Sequence, residues 1–208
     1  MTKRTKKMER GFSLLEMVVV VLLAFIVMAF AIIHGKSITQ NARANAAMDA
    51  LVATLREGRE MAIAKRRNVE VQITTPNEIQ LTVLTLPGEA VAPTITPTYL
   101  NDNVGGGSTF ILFSGLPDTP MAFGDSTPIS LQQPAGGGAW TVMFTTSGAF
   151  VGTSQSAATL YQVTNNNPVN ASIFMGVTGE TNTARAVTIF GATGRVRSYY
   201  WNGASWLE

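Results

Sequence analysis

The 208-residue sequence has no cysteine and a single histidine, His34. Without thiols there is no disulfide framework, no thiolate metal site and no thiol nucleophile. With one imidazole, at the end of a long apolar run, a Ser-His-Asp arrangement and most metal and acid–base chemistry are removed. Charge is scarce too: charged residues make up 13% against 46% hydrophobic, low for an ordinary soluble domain. Bases are missing altogether between Arg67 and Arg185. Residues 68–208 therefore set three arginines against eight acids, a net −5, whereas residues 1–10 and 36–67 each carry +4. A basic overall balance ordinarily points to nucleic acid. Here the excess lies at the amino end and along one predicted helix, so no nucleic-acid partner is expected. Neither a small-molecule substrate nor a cofactor is expected, and the chain does not read as an enzyme.

What is present is concentrated at the amino terminus. Lys3, Arg4, Lys6, Lys7 and Arg10 precede Gly11-Phe12-Ser13-Leu14-Leu15-Glu16, and no polar residue occurs from Met17 to Ile33. Counted from Phe12, the run matches the roughly 20 residues that span a bilayer as a helix. The leading bases hold that end in the cytoplasm and send the chain beyond the run to the other side. A conventional secretory signal would use Ala29-Phe30-Ala31 for cleavage, and a plain anchor would need only the span. Neither accounts for Glu16, because a carboxylate inside an apolar helix costs roughly 2.5–3.5 kcal/mol on insertion scales and calls for a partner.

These residues resemble the type IV pilin and pseudopilin superfamily: a basic leader ending in Gly11, then Phe12, with Glu16 at the fifth position after the junction. The resemblance implies cleavage after Gly11 by a prepilin peptidase, N-methylation of Phe12, and a Glu16 carboxylate that neutralises the terminal amine of a neighbouring subunit in a growing fibre. It implies partners in the inner membrane: the peptidase, other pilin or pseudopilin subunits and their assembly machinery. The expected organisation is a leader at 1–11, a transmembrane and assembly helix at 12–34, an amphipathic continuation at 35–67 and a β-rich periplasmic domain at 68–208.

The periodicity beyond the span supports that continuation. Ala44, Met48, Leu51, Leu55, Gly58 and Ala62 recur at steps of four and three, one apolar stripe of a helix. Arg56 and Glu60 stand an i,i+4 step apart on the polar side. The helix is expected to end near Arg66 or Arg67, where cations suit its carboxyl end. Gly58 is a poor interior residue, about 1 kcal/mol worse than alanine. Alternation then predicts strands at Val69–Thr74 and 78–84 around a Thr75-Pro76-Asn77 turn. Residues 86–107, rich in Pro, Thr and Gly, read as an exposed excursion. Further strands are predicted at 109–113, 140–145, 160–163, 173–177, Arg185–Phe190 and 196–201. The fold class is α+β, one long helix packed on a mainly antiparallel sheet.

Residues 51–71 resemble the helix-to-first-strand segment of the GspH/FimT group of minor pseudopilins, with Gly58-Arg59 where that group usually has Ala-Arg. Residues 144–148, Phe-Thr-Thr-Ser-Gly, and the stretch containing Thr193-Gly194-Arg195-Val196 resemble the same group. The implied function is a minor pseudopilin of a type II secretion fibre, or alternatively a minor type IV pilin priming a pilus for adhesion, motility or DNA uptake. An exported binding or hydrolytic protein with a conventional signal is the reading from another class. Among lesser features, Gly191-Ala192-Thr193-Gly194-Arg195 lacks the Gly-Lys-Ser/Thr ending of a phosphate loop and reads as a strand-connecting turn. Asp118 and Asp125 are two loop acids without calcium-ligand spacing, so solvated side chains are expected. Tyr199, Tyr200, Trp201 and Trp206 read as sheet packing, with a partner surface as the alternative.

Overall fold

The computed structural model describes residues 13–85, 94–100, 107–132, 141–153 and 167–208, without the side chains of 31–36, 94, 95, 141 and 153. The predicted strand at 160–163 and the glycine run at 136–138 lie outside the described residues. Two compact units result, Met1–Thr39 and Gln40–Glu208.

One helix, α1, runs Leu14–Lys65. It stops because Arg66 adopts a left-handed backbone (φ 52°). The Arg66 N–H donates to Ile63 and the Arg67 N–H to Ala62, which satisfies two of the last carbonyls in the manner of a Schellman cap. The expected stripe is buried apart from the half-buried Met48: Ala44, Leu51, Leu55 and Ala62 are fully inaccessible, while Arg56 and Glu60 are exposed. Gly58 has a physical reason here. A Cβ on it would lie 3.0 Å from Leu81 Cδ2 and 3.4 Å from Phe144, so its absence lets the helix backbone settle close to the sheet.

Twelve strands are described, and the pairings among them are antiparallel. The first sheet contains β1 (Val69–Thr74), β2 (Glu78–Val83), β3 (Thr94–Tyr99), β6 (Thr141–Phe144), β7 (Phe150–Thr153) and β8 (Asn167–Pro168), ordered β3-β2-β1-β6-β7-β8. In the second sheet are β4 (Thr109–Phe110), β5 (Ile129–Gln132), β9 (Asn170–Gly176), β10 (Arg185–Phe190), β11 (Arg195–Trp201) and β12 (Trp206–Leu207). Its order is β12-β11-β10-β9, with β4 and β5 sharing the free edge of β9.

The excursion at 86–107 thus contains an unexpected strand, since β3 pairs along its length with β2. Pro97 disguises it; proline is tolerated there because β3 is an edge strand. Strands β5, β7 and β12 are also unexpected, and β8 forms where the sequence shows an asparagine-rich break.

Leu51 and Leu55 of the helix share one apolar cluster with Val71, Leu81 and Phe144 of the first sheet and Ile173, Val187 and Ile189 of the second. The opposite face of the second sheet carries Phe174, Ala186, Tyr199 and Trp206, packed by Leu112, Phe113, Leu116 and Met121 of the loop between β4 and β5. The aromatic carboxyl end is therefore mainly sheet packing: Tyr199 and Trp206 are buried, Trp201 is half-buried and Tyr200 is exposed.

Candidate assembly site at the amino terminus

Gly11 and Phe12 lie outside the described residues, so the described chain begins at Ser13, the second residue after the proposed junction. Ser13 precedes the first helical residue, and the Met17 N–H donates to its carbonyl at 3.2 Å. Glu16 falls in the first turn of α1. A carboxylate there faces the positive end of the helix dipole and its unpaired N–H groups, a gain of about 0.3–1 kcal/mol where exposed. Ser13 and Glu16 also hold the spacing of a capping box, a pattern readable from the sequence and missed there. Part of the cost of a carboxylate at the head of an apolar helix is thus offset within its own first turn.

Among the described residues, the large apolar side chains of α1 from Leu14 to Phe30 are exposed. Leu14 is 82% exposed, Leu22 57%, Phe25 64% and Phe30 62%, on all sides rather than along one stripe. An apolar helix exposed all round is not at equilibrium in water; it requires lipid or other chains. Among the described residues no helix is long and apolar enough to cross a membrane. Residues 31–36, which include the last of the apolar run and His34, have no described side chains.

Elsewhere the structure gives the candidate residues structural roles. Asp118 Oδ1 accepts from the Thr119 N–H at 2.6 Å, and its Oδ2 accepts from the Gly124 N–H at 2.8 Å, closing the loop that covers the second sheet. Asp125 is exposed. Among the described residues no group of three or more His, Asp or Glu could hold a metal ion. Residues 191–194 form the turn between β10 and β11, as expected.

Three segments distant in sequence meet at Arg59. Its Nε donates to the Thr193 carbonyl at 3.0 Å and to the Gly148 carbonyl at 3.3 Å, tying the helix to the β10–β11 and β6–β7 turns together. Gly194 (φ 63°) is required at this junction, because a Cβ on it would collide with the Gly148 carbonyl oxygen.

A second polar link is not foreshadowed by any motif. Arg185 is buried and donates to Asn45 Oδ1 at 2.8 Å, Asn41 Oδ1 at 3.2 Å, and the Ala184 and Asn182 carbonyls. Burial lowers its guanidinium pKa from the usual value, while Tyr200 acts in the opposite direction. The asparagines are an i,i+4 pair on α1, a signal present in the sequence but uninformative without its strand partner.

Residues 6–32 match the family model described as the prokaryotic N-terminal methylation motif. No curated protein sequence matches the chain significantly. Among solved structures, the type IV minor pilin FimU of Pseudomonas aeruginosa is 14% identical with a TM-score of 0.39, over 79% of this chain and 97% of that one. The minor pseudopilin EpsH from the type 2 secretion system of Vibrio cholerae has the same identity and TM-score, over 76% of this chain and 97% of that one.

Proposed function

We propose that the chain is a minor subunit of a type IV pilus-like fibre, cleaved after Gly11, N-methylated at Phe12, and held in the inner membrane by its amino-terminal helix until assembly. The carrying observation is the methylation motif at 6–32 leading into a helix whose first turn holds Glu16 and whose surface from Met17 to Phe30 is apolar all round. Before assembly the amino end faces the cytoplasm and the β-rich part the periplasm. In the fibre, the Glu16 carboxylate meets the Phe12 amine of a neighbouring subunit; a charge pair in low dielectric is tolerable where a lone carboxylate is not. Within this reading we favour a minor pseudopilin of a type II secretion fibre that helps initiate or cap it. Support comes from the segments resembling the GspH/FimT group, which converge on Arg59.

Mass spectrometry of protein from membranes should show a mature terminus at N-methylated Phe12. A terminus at Ile32 would overturn the reading in favour of signal-peptidase cleavage. Glu16→Ala should be inserted and cleaved normally yet fail to co-purify with other fibre subunits. Secretion and piliation scored in the same strains separate the secretion fibre from a pilus. Equal recovery of partners by Glu16→Ala would remove the proposed role of that carboxylate.

A further inference from the structure

Helix α1 and strand β11 border an open cleft of about 640 Å3, whose charged lining is Arg56, Arg59, Glu60, Arg195, Arg197 and Glu208. Four guanidinium groups converge from distant parts of the chain. Apart from the buried Arg185, every base of residues 68–208 is in this cleft. Gathering like charges is unfavourable unless something answers them. Arg56 and Arg195 are exposed, so packing does not require them there. The Nε bonds of Arg59 to two turn carbonyls fix one guanidinium in place before any ligand arrives.

The cleft already holds a carboxylate. Glu208 Oε2 accepts from Arg197 Nη1 at 3.1 Å, with the two side chains 56% and 30% exposed. Glu208 is brought there by β12, paired to β11 through Leu207 opposite Tyr200 and Trp206 opposite Trp201. The Trp206 indole anchors that strand by donating to the Pro117 carbonyl at 2.7 Å. An exposed ion pair of this kind holds weakly and exchanges readily with an external carboxylate.

We propose that this cleft binds the carboxylates of an acidic segment on another protein chain, with Glu208 as the intramolecular stand-in. Guanidinium forks accept carboxylates in bidentate geometry, and a preset fork loses less freedom on binding. A nucleic-acid strand fits less well. Glu60 and Glu208 interrupt the arginines, and the group already seated on Arg197 is a carboxylate. The proposal does not depend on the fibre reading.

The test uses the full chain in detergent micelles, with two fluorescent probes of equal formal charge: a capped tetraglutamate peptide and a single-stranded oligothymidylate. The peptide should bind the more tightly. Arg56→Gln combined with Arg195→Gln should weaken peptide binding at least tenfold, with an unchanged circular dichroism spectrum. Glu208→Gln should strengthen it severalfold by removing the internal competitor. Tighter binding of the oligonucleotide would overturn the proposal and assign the cleft to nucleic acid. Absence of peptide binding, or binding indifferent to these substitutions, would overturn it outright.

Discussion

Two stretches of one helix are covered in opposite ways. Between residues 14 and 30 large apolar side chains are exposed on every side, whereas between 44 and 62 a single stripe of Ala44, Ala47, Leu51, Leu55 and Ala62 is sealed completely. The local backbone is the same in both. What differs is the distribution of apolar residues around the axis. A stripe asks for one surface, and the chain's own sheets supply it; an all-round apolar cylinder asks for a solvent, which no single sheet can be. The distinction can be broken by matched truncations. Leu55→Ala should cost about 2–5 kcal/mol through lost burial and a residual cavity. Leu22→Ala should leave the melting transition of the folded part unchanged and affect only membrane retention or assembly. Equal losses in thermal melting would mean that the first stretch is also covered by its own chain.

A sharper probe asks whether polar groups respect the same division. Arg185 reaches the helix at Asn41 and Asn45, near the start of the second unit at Gln40. Arg185→Gln should destabilise by about 1–3 kcal/mol, because the asparagine oxygens and the Asn182 and Ala184 carbonyls lose their donor. Removing the buried charge recovers some desolvation energy, which keeps the loss below that of Leu55→Ala. Hydrogen exchange should rise at residues 40–50. Protection there identical to wild type would show that apolar packing alone holds this turn of the helix.

The helix was legible because its signals are local: the basic leader, the stripe and the cationic end are each written in one short run of sequence. Strands β1 and β10 were legible to their exact ends for the same reason: β1 alternates strictly before a turn, and β10 is a short β-prone run that ends at the Gly191–Gly194 turn. The division into two sheets was not. It depends on Val69–Val71 pairing with Val142–Phe144 across some seventy residues, and no local pattern encodes that. Strand β3 was hidden by Pro97, and β7 by the Thr145–Gly148 turn before it. At the candidate site, Gly11, Phe12 and Glu16 stood out as a motif. The role of Ser13 as the residue before the helix was written in the same few letters and overlooked.

Glu70 carries the comparison to carboxylates, with the smallest expected effect. Unlike Glu16, exposed on the helix, Glu70 is half-buried in β1. It sits opposite Thr82 and Met143, and Met143 belongs to an apolar patch with Val151. Desolvation raises its carboxyl above the ordinary 4.5. The folded state therefore holds this proton more tightly than the unfolded state does. Between 4.5 and the raised value the folded form binds more protons, so this group's contribution makes stability fall as pH rises through that window, and the deficit persists above it. Glu70→Gln removes the titration while keeping the shape. The variant should melt above wild type at pH 7, and the difference should shrink towards a constant offset as pH falls below about 4.5, where both side chains are neutral. Thermal melts of the two proteins across that range are the measurement. A difference that does not vary with pH would mean that the Glu70 carboxylate is as well solvated as one on an open helix face.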